Sequence, residues 1–203
     1  MDELNEKDLF RVRIRFLDLV KSFFCEEPDA EKMSRWRGTF SALAAEQINP
    51  RFDNAVKDIS RALTDKNLSD LHGEYYSLFI NPFADGMVKT TASYYLNGRS
   101  FDQALVDIRS LMDEAGLQKK STVTDPEDSL VVMLDTFTSL VEEEKEGDAE
   151  KARQLQGRLL NEFLQPFVEK FMLELKENEA ADFYYLCCKV LAGYCDLEKG
   201  LIA

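Results

Sequence analysis

The sequence predicts an all-α protein, a helical bundle of about eight to ten helices in two packed halves joined by a polar hinge. Apolar residues recur at helical spacing along most of the 203 residues, as in helices that bury one face. Only residues 87–95 are rich in β-branched side chains, and no other stretch could pair with them as a second strand. Hydrophobic residues make up 45% of the chain, which is enough for a sizeable core.

Start signals place the helices of the first half. Asp29 follows Pro28 at the start of the second helix, and Asn49-Pro50 marks the break before the third. Ser69 is expected to cap a short fourth helix. The residues expected to face the core along these helices are Phe10, Ile14, Leu17, Trp36, Phe40, Phe52, Val56, Ile59, Leu63, Leu71, Tyr75 and Leu78.

Residues 82–98 lose the helical period, and we expect an ordered extended loop that closes at Asn97-Gly98. The next helix is expected to begin at a Ser100 cap, with Phe101 facing the core. This loop is the longest predicted interruption of the helical pattern.

A polar connection at 117–125 is the expected hinge between two helical halves. The halves would be 1–116, which includes the 80–98 loop, and 117–203, although a single packed domain is also allowed. A polar hinge permits exchange of halves between two copies, so the sequence leaves open a monomer or a domain-swapped dimer.

The second half begins with three acidic residues around a proline. Asp125 is expected to cap a helix, with Pro126 at its first position and Asp128 at its third. Asp148 would start a long helix that bends at Pro166. The residues expected to face the core of this half are Leu130, Met133, Leu134, Phe137, Leu140, Leu155, Leu159, Phe163, Phe167, Phe171, Phe183, Leu186, Cys187 and Val190.

The net charge of −13 argues against binding nucleic acid or an anionic membrane through a general basic surface. It favours a cationic partner, or simply solubility. No apolar stretch is long enough to cross a bilayer. The acidic start Met1–Glu6 lacks the basic and apolar regions of a signal peptide, so we expect a cytoplasmic protein.

The four cysteines and single histidine make a poor metal or disulfide framework, because no CxxC pair is present. Buried free thiols are the expected state of the cysteines. His72 has no Ser or Cys nearby that would form a nucleophilic pair, and a surface or capping histidine is the ordinary interpretation. We therefore expect no metal, no cofactor, no catalytic residue and no enzymatic activity.

Two features have both a structural and a functional interpretation. The acidic cluster at 125–128 could simply oppose a helix dipole, each carboxylate contributing about 0.3–1 kcal/mol. Alternatively, one carboxylate points outward and accepts an arginine, whose guanidinium matches both carboxylate oxygens. The adjacent tyrosines Tyr75-Tyr76 and Tyr94-Tyr95 cannot all face a core, so one of each pair should lie near the surface, where aromatics anchor peptides.

Several short motifs follow one another in a recognisable order. They are Glu74, Tyr75, Leu78 and Phe79 at a helix end, Ser93, Tyr94, Tyr95 and Leu96 in the loop, Gly116-Leu117, then Pro126, Glu127 and Asp128, and finally Phe163-Leu164 and Phe183-Tyr184. In this order the chain resembles the TorD/DmsD family of redox-enzyme maturation chaperones, with a more distant likeness to the NarJ group. The resemblance covers roughly residues 70–195.

The chain departs from the family pattern at two positions. The Pro-x-Asp-His signature of the family ends here in Ser129, which removes a donor and a possible charge. Ala92 stands where an acidic residue often precedes Ser93. Peptide contacts are therefore expected to differ from those of the family, or the client to lack a typical signal peptide.

The resemblance implies a cytoplasmic, non-enzymatic chaperone. Such a protein binds the apo catalytic subunit of a molybdopterin oxidoreductase, often through a twin-arginine signal peptide, until cofactor is inserted and export is permitted. The alternative is a helical adaptor or regulatory protein that binds a folded partner without signal-peptide recognition. Nucleotide binding has no phosphate-loop support.

The expected site is an acidic, aromatic-edged groove between the two helical halves. Its acidic residues would attract arginines, and its aromatic residues would contact the apolar part of a peptide. The residues assigned to it are Tyr75, Tyr76, Phe79, Phe83, Ser93, Tyr94, Tyr95, Asp125, Pro126, Asp128 and Ser129.

Overall fold

The structure is a computed structural model that describes residues 6–202, and within this range it confirms the all-α fold. Two π-helical turns, Tyr76–Ile80 and Leu159–Leu164, directly follow the fourth and eighth α-helices. The residues before Glu6, on which the signal-peptide expectation rests, lie outside the described range. The α-helices are α1 (Glu6–Lys21), α2 (Ala30–Leu43), α3 (Pro50–Asp65), α4 (Leu68–Tyr75), α5 (Ala92–Asn97), α6 (Gln103–Glu114), α7 (Leu130–Glu146), α8 (Ala149–Arg158), α9 (Gln165–Glu177) and α10 (Phe183–Ile202).

Side-chain caps begin three of the helices at the positions where the sequence places their starts. Asp29, Asn49 and Asp148 each accept a hydrogen bond from a backbone N–H in the first turn of α2, α3 and α8. The cap of α4 is Asn67, not the expected Ser69. Asn67 forms a capping box, in which side chain and backbone exchange two reciprocal hydrogen bonds with the third helical residue.

The long helix predicted from Asp148 changes its geometry directly before Pro166. The π-helical turn Leu159–Leu164 separates α8 from α9, and Pro166 is the second residue of α9. Proline lacks the backbone N–H of a regular helix, and both a proline and a π-bulge are recognised causes of a kink.

Two compact units make up the chain, and each is built from segments distant in sequence. Unit 1 contains the chain up to Lys21, then Thr90–Phe167, and the chain from Lys199 onward. Unit 2 contains Ser22–Lys89 and Val168–Glu198.

The predicted halves 1–116 and 117–203 follow a different division, because their boundary and the polar segment 117–125 both lie within unit 1. The first helix belongs with the middle of the chain, a pairing that local composition cannot reveal. The role of 117–125 as a hinge stays a prediction.

An aromatic cluster forms the core of unit 2. The indole of Trp36 is fully buried, and its Nε1–H donates to Ser22 Oγ at 2.9 Å. The Phe23 ring lies 4.9 Å from the Trp36 ring and 5.8 Å from the Phe40 ring, and Phe183 lies 5.9 Å from Trp36. Such contacts fix the position of α10, which carries Phe183, within this unit.

A buried polar network ties together three helices of unit 1. Arg13 of α1 donates to Glu144 Oε2 of α7 at 2.8 Å and to Gln156 Oε1 of α8 at 2.7 Å. Burial of Glu144 opposes ionisation, but hydrogen bonds from Arg153 and Arg13 hold its pKa below its usual value. Each buried charge in the network thus has a partner.

The structure corrects the expected extended loop and the helix that follows it. Residues 92–97 form helix α5, which ends at Gly98 in the left-handed conformation with φ of 83°. Helix α6 is capped by Asp102, not by Ser100. Phe101 is 75% exposed and does not face the core, because it precedes the helix that was expected to carry it.

Candidate partner-binding surfaces

The first motif lies in unit 2, where α4 passes into a π-helical turn. The N–H of Asn81 donates to the Tyr76 carbonyl at 2.8 Å, five residues earlier, which is the spacing of a π-helix. The chain then folds back, and Val88 N–H donates to the Leu78 carbonyl at 3.0 Å. The loop between these bonds is therefore anchored at both ends.

Four large apolar side chains are exposed along this turn and loop. They are Tyr76, Ile80, Phe83 and Met87, and together we call them the 76–87 apolar segment. Phe83 is 92% exposed, although its backbone N–H is held by Asn81 Oδ1 at 3.1 Å. Exposed apolar residues concentrated in one segment are typical of interaction sites.

The neighbouring aromatic residues of the same motif pack inward. Tyr75 is buried, with its ring 5.1 Å from Phe79 and 5.8 Å from Tyr184. Phe79 is half-buried and lies 5.1 Å from Tyr184. Of the predicted site residues in unit 2, only Tyr76 and Phe83 are thus well exposed, while Tyr75 is buried and Phe79 is half-buried.

Glu74 is structural within the same motif. Its Oε1 accepts the N–H groups of Asp182 at 2.8 Å and of Tyr184 at 2.7 Å, so it caps the start of α10. Lys66 lies 4.0 Å from the other oxygen and also pairs with Asp182 at 2.8 Å. Burial raises the pKa of Glu74, against the effect of these hydrogen bonds.

The second motif lies in unit 1, where two backbone segments run side by side. Ala92 N–H donates to the Asp128 carbonyl, and Leu130 N–H donates to the Thr90 carbonyl, both at 2.8 Å. Ser93 N–H donates to Asp128 Oδ2 at 2.9 Å. Asp128 thereby holds the start of α5 against the start of α7.

The Asp128 carboxylate is fully buried and only partly satisfied. Within residues 6–202, no donor reaches its Oδ1. A buried acceptor without a donor is costly, and such groups are rare in folded proteins. Ser93 is also fully buried, so neither side chain lies at the surface in this conformation.

Helix α7 begins later than the sequence predicts. Its cap is Ser129, whose Oγ accepts the Val132 N–H at 3.4 Å, and its first residue is Leu130. The expected Asp125 cap is wrong, because Asp125 and Pro126 lie in the irregular chain before the helix. A serine suits this position because its short hydroxyl reaches the first-turn N–H groups.

The three acidic residues of the motif have different surroundings. Asp125 is exposed, and Asp128 is buried. Glu127 forms an ion pair with Arg109 at 2.8 Å and lies 3.8 Å from Lys119. Partial burial opposes its ionisation, but these cations and a backbone hydrogen bond hold its pKa below its usual value.

A ladder of aromatic rings leads from the core of unit 1 to its surface. The Tyr95 ring lies 5.2 Å from Phe167, which is fully buried, and 5.1 Å from Tyr94, which is exposed. Both contacts are edge-on, the geometry that aromatic pairs prefer. Tyr94 is thereby presented at the surface on a fixed support.

Sequence reasoning missed Phe101 as a surface residue. Its φ of 61° lies in the left-handed region, which a bulky residue rarely adopts, and its N–H donates to Ser93 Oγ at 3.0 Å. Its spacing from the apolar residues of α6 fits a helical stripe, which placed it inward. Nothing in the pattern signals a positive φ at a phenylalanine.

The structure also bears on metal binding, membrane insertion and thiol chemistry. Among residues 6–202, no cluster of three or more metal-binding side chains is found, and no helix is both long and apolar enough to span a membrane. Cys187, Cys188 and Cys195 are buried as expected, and burial raises their pKa values. Cys25 is exposed, contrary to the expectation.

The protein is thus all-α. Its motif regions contain exposed aromatic side chains as well as buried carboxylates that hold the starts of helices. A family model described as the nitrate reductase delta subunit matches residues 45–173, more than half of the chain. The chain therefore belongs to this family, and its resemblance to the TorD and NarJ chaperones is confirmed.

Individual relatives agree with this assignment. The chain is 22% identical over 196 residues to the chaperone protein TorD of Vibrio atlanticus, covering 91% of each protein. It is 23% identical over 193 residues to TorD of Vibrio vulnificus, covering 89% of each. A proposed redox enzyme maturation protein from Archaeoglobus fulgidus has the same fold, with a TM-score of 0.54, 17% identity, and coverage of 91% of this chain and 94% of the other.

Proposed function

We propose that this protein is a cytoplasmic chaperone that binds the apo catalytic subunit of a molybdopterin oxidoreductase and its twin-arginine signal peptide. It would support cofactor insertion and delay export, and it would carry out no reaction of its own. The observation that carries the proposal is the set of exposed aromatic residues in and beside the motifs of a chaperone family. The names of the relatives, which are chaperone proteins, support the same function.

The exposed aromatic side chains supply the apolar contacts. Tyr76 and Phe83 in unit 2 and Tyr94 in unit 1 are exposed. Asn81 Oδ1 holds the Phe83 N–H, and the Tyr94 ring packs edge-on against Tyr95. Aromatic residues on fixed supports lose little conformational entropy when a peptide binds. They suit the apolar stretch that follows the arginines in a signal peptide.

The acidic residues supply recognition of arginine. Asp125 is exposed at the surface and can accept both N–H groups of a guanidinium. Asp128 is fully buried, so its role is to hold the backbone at Ala92 and Ser93 in place and not to meet the guanidinium. The net charge of −13 favours a basic peptide over long range.

Calorimetry with a synthetic signal peptide tests this recognition. The peptide is the twin-arginine signal peptide of a molybdoenzyme, in its Arg-Arg form and in a Lys-Lys form. We expect the Lys-Lys form to bind about 10-fold more weakly, because a lysine cannot make the paired hydrogen bonds of a guanidinium. The Asp125→Asn variant should remove most of this difference.

The Asp113→Asn variant is the matched control, since Asp113 is also an exposed aspartate of unit 1 but lies on α6. It should leave the difference between the two peptides unchanged. Equal affinity for both peptides in the wild-type protein, or no binding of either, would overturn the arginine-recognition part of the proposal.

Comparison of the apo and cofactor-loaded enzyme separates a chaperone from an adaptor. A maturation chaperone should bind the apo catalytic subunit and release it once the cofactor is inserted. An adaptor for a folded partner would bind both forms equally. Light scattering during the same purification distinguishes a monomer from a dimer, and the exchange of halves within a dimer stays a prediction.

A further inference from the structure

Phe101 combines two unfavourable features, a strained backbone and an exposed aromatic side chain. Its φ of 61° is the only positive φ at a non-glycine residue within residues 6–202, and its side chain is 75% exposed. A left-handed conformation brings the Cβ of an L-residue too close to the neighbouring carbonyl. An asparagine or glycine would fit this backbone better than a phenylalanine.

Polar contacts on both sides of Phe101 hold it in this conformation. Its own N–H donates to Ser93 Oγ at 3.0 Å, and the N–H of Ser93 donates to Asp128 Oδ2 at 2.9 Å. On the other side, Ala104 N–H donates to Asn97 Oδ1 at 2.9 Å, which closes the turn around Phe101. These contacts involve backbone and polar atoms, and none uses the phenyl ring.

The fold therefore fixes the backbone at this position but does not require a phenylalanine there. Strained residues persist where the surrounding structure determines them, and they concentrate at binding sites. The predicted site residue Tyr94, two residues after Ala92, is an exposed aromatic on the same short helix as Ser93. Ser93 donates its N–H to Asp128 and accepts the N–H of Phe101 at its Oγ. It therefore connects the buried motif residue Asp128 to the exposed Phe101.

We propose that Phe101 is a client-contact residue, and that Ser93 and Asp128 are positioning residues that present it at the surface. The occupant is the apolar stretch of a client segment that also carries basic residues, because the chain has a net charge of −13. This inference rests on the proposed chaperone function and adds a residue that the motifs do not include. It gives the fully buried Ser93–Asp128 pair a role in binding without direct contact with the client.

The Phe101→Gly and Phe101→Asn variants test the contact role. Both residues tolerate a positive φ, so relief of strain should raise the midpoint of thermal unfolding by about 2–4 °C. Loss of the ring should weaken binding of the Arg-Arg signal peptide, or of the apo catalytic subunit, by about 10-fold. Leu173→Ala is the control, because Leu173 is 58% exposed and belongs to unit 2.

A double-mutant cycle tests the positioning role of Ser93. The Ser93→Ala variant removes the acceptor for Phe101 N–H, so it should weaken client binding when Phe101 is present. In the Phe101→Gly background the same change should have no further effect on affinity. A purely structural serine would lower stability in both backgrounds without this dependence of affinity on Phe101.

Each outcome of these measurements decides the inference. Greater stability with weaker binding in both Phe101 variants supports it. Unchanged affinity, or a lower unfolding midpoint in both variants, overturns it while leaving the chaperone function standing. If the wild-type protein binds neither the peptide nor the apo subunit, the proposed function and this inference both fall.

Discussion

Glu74 in unit 2 and Asp128 in unit 1 are buried carboxylates that belong to the two family motifs. Each accepts backbone N–H groups at the start of a helix distant in sequence, α10 for Glu74 and α5 for Asp128. One oxygen of Glu74 takes two donors, and Lys66 lies near the other. Asp128 uses Oδ2 for one donor, while its Oδ1 has none within residues 6–202.

This difference suggests two roles for buried carboxylates in the motifs of one family, namely stabilising the fold and positioning a binding site. A satisfied cap such as Glu74 is explained by stability alone. A buried carboxylate with one oxygen that accepts no hydrogen bond is not optimal for stability. Buried polar atoms without a hydrogen-bond partner are expected at functional sites. We therefore propose that Glu74 is part of the scaffold and that Asp128 positions the proposed binding site.

The largest expected effect tests whether unit 1 otherwise pairs its buried charges. The Glu144→Gln variant leaves the buried Arg13 without its carboxylate and should lower the free energy of unfolding by about 3–5 kcal/mol. Glu142→Gln, an exposed change on the same helix, should have almost no effect. Chemical denaturation measures the free energy of unfolding of both variants. If both lose similar amounts, pairing of the buried Glu144 contributes little to stability. The incompletely paired Asp128 would then not be exceptional in this unit.

The Glu74→Ala variant tests the scaffold side of the comparison. Its removal leaves the N–H groups of Asp182 and Tyr184 without their acceptor, and we expect a loss of about 2–3 kcal/mol in the free energy of unfolding. Affinity for the signal peptide should not change at a temperature where the variant is folded. The exposed Glu46→Gln change is a control of the same charge. Weaker peptide binding by the folded Glu74→Ala variant would contradict the scaffold role.

The Asp128→Asn variant tests the other side and should be less costly. It weakens one charge-assisted hydrogen bond but also removes a buried negative charge that is only partly satisfied, so we expect a net loss of about 1 kcal/mol. Peptide affinity should fall despite this small change in stability. A loss of stability as large as that of Glu74→Ala, with unchanged affinity, would make Asp128 an ordinary cap.

The smallest effect is a difference in pH dependence between Glu74 and Glu144. The pKa of Glu144 is lowered in the fold, so its stabilisation is present above about pH 4.5 and is lost as the pH falls through the folded pKa. The pKa of Glu74 is raised, so the fold favours its protonated form and gains stability as the pH falls from the folded pKa towards 4.5.

Urea denaturation of the variants between about pH 3 and about pH 7 therefore checks the sign, because this range extends both below and above the ordinary carboxyl pKa of about 4.3. The stability cost of Glu144→Gln should shrink as the pH is lowered, and the cost of Glu74→Ala should grow. Parallel changes in both variants would show that the two carboxylates experience similar surroundings.

The sequence by itself determined the helical class and three of the helix starts. The starts predicted at Asp29, at Asn49-Pro50 and at Asp148 are correct, because the caps found there act on backbone groups only two or three residues away. The order of the motifs also identified the family. These signals are local, and a local pattern can be read from the chain alone.

Only the tertiary structure decided which motif residues reach the surface. The sequence assigned Asp128 and Ser93 to a contact site and placed Phe101 in the core, whereas the fold buries the first two and exposes the third. The reason is that Ser93 and Asp128 are 35 residues apart and meet through backbone pairing. Burial, a bare carboxylate oxygen and a positive φ all depend on such distant contacts, which no periodicity in the sequence records.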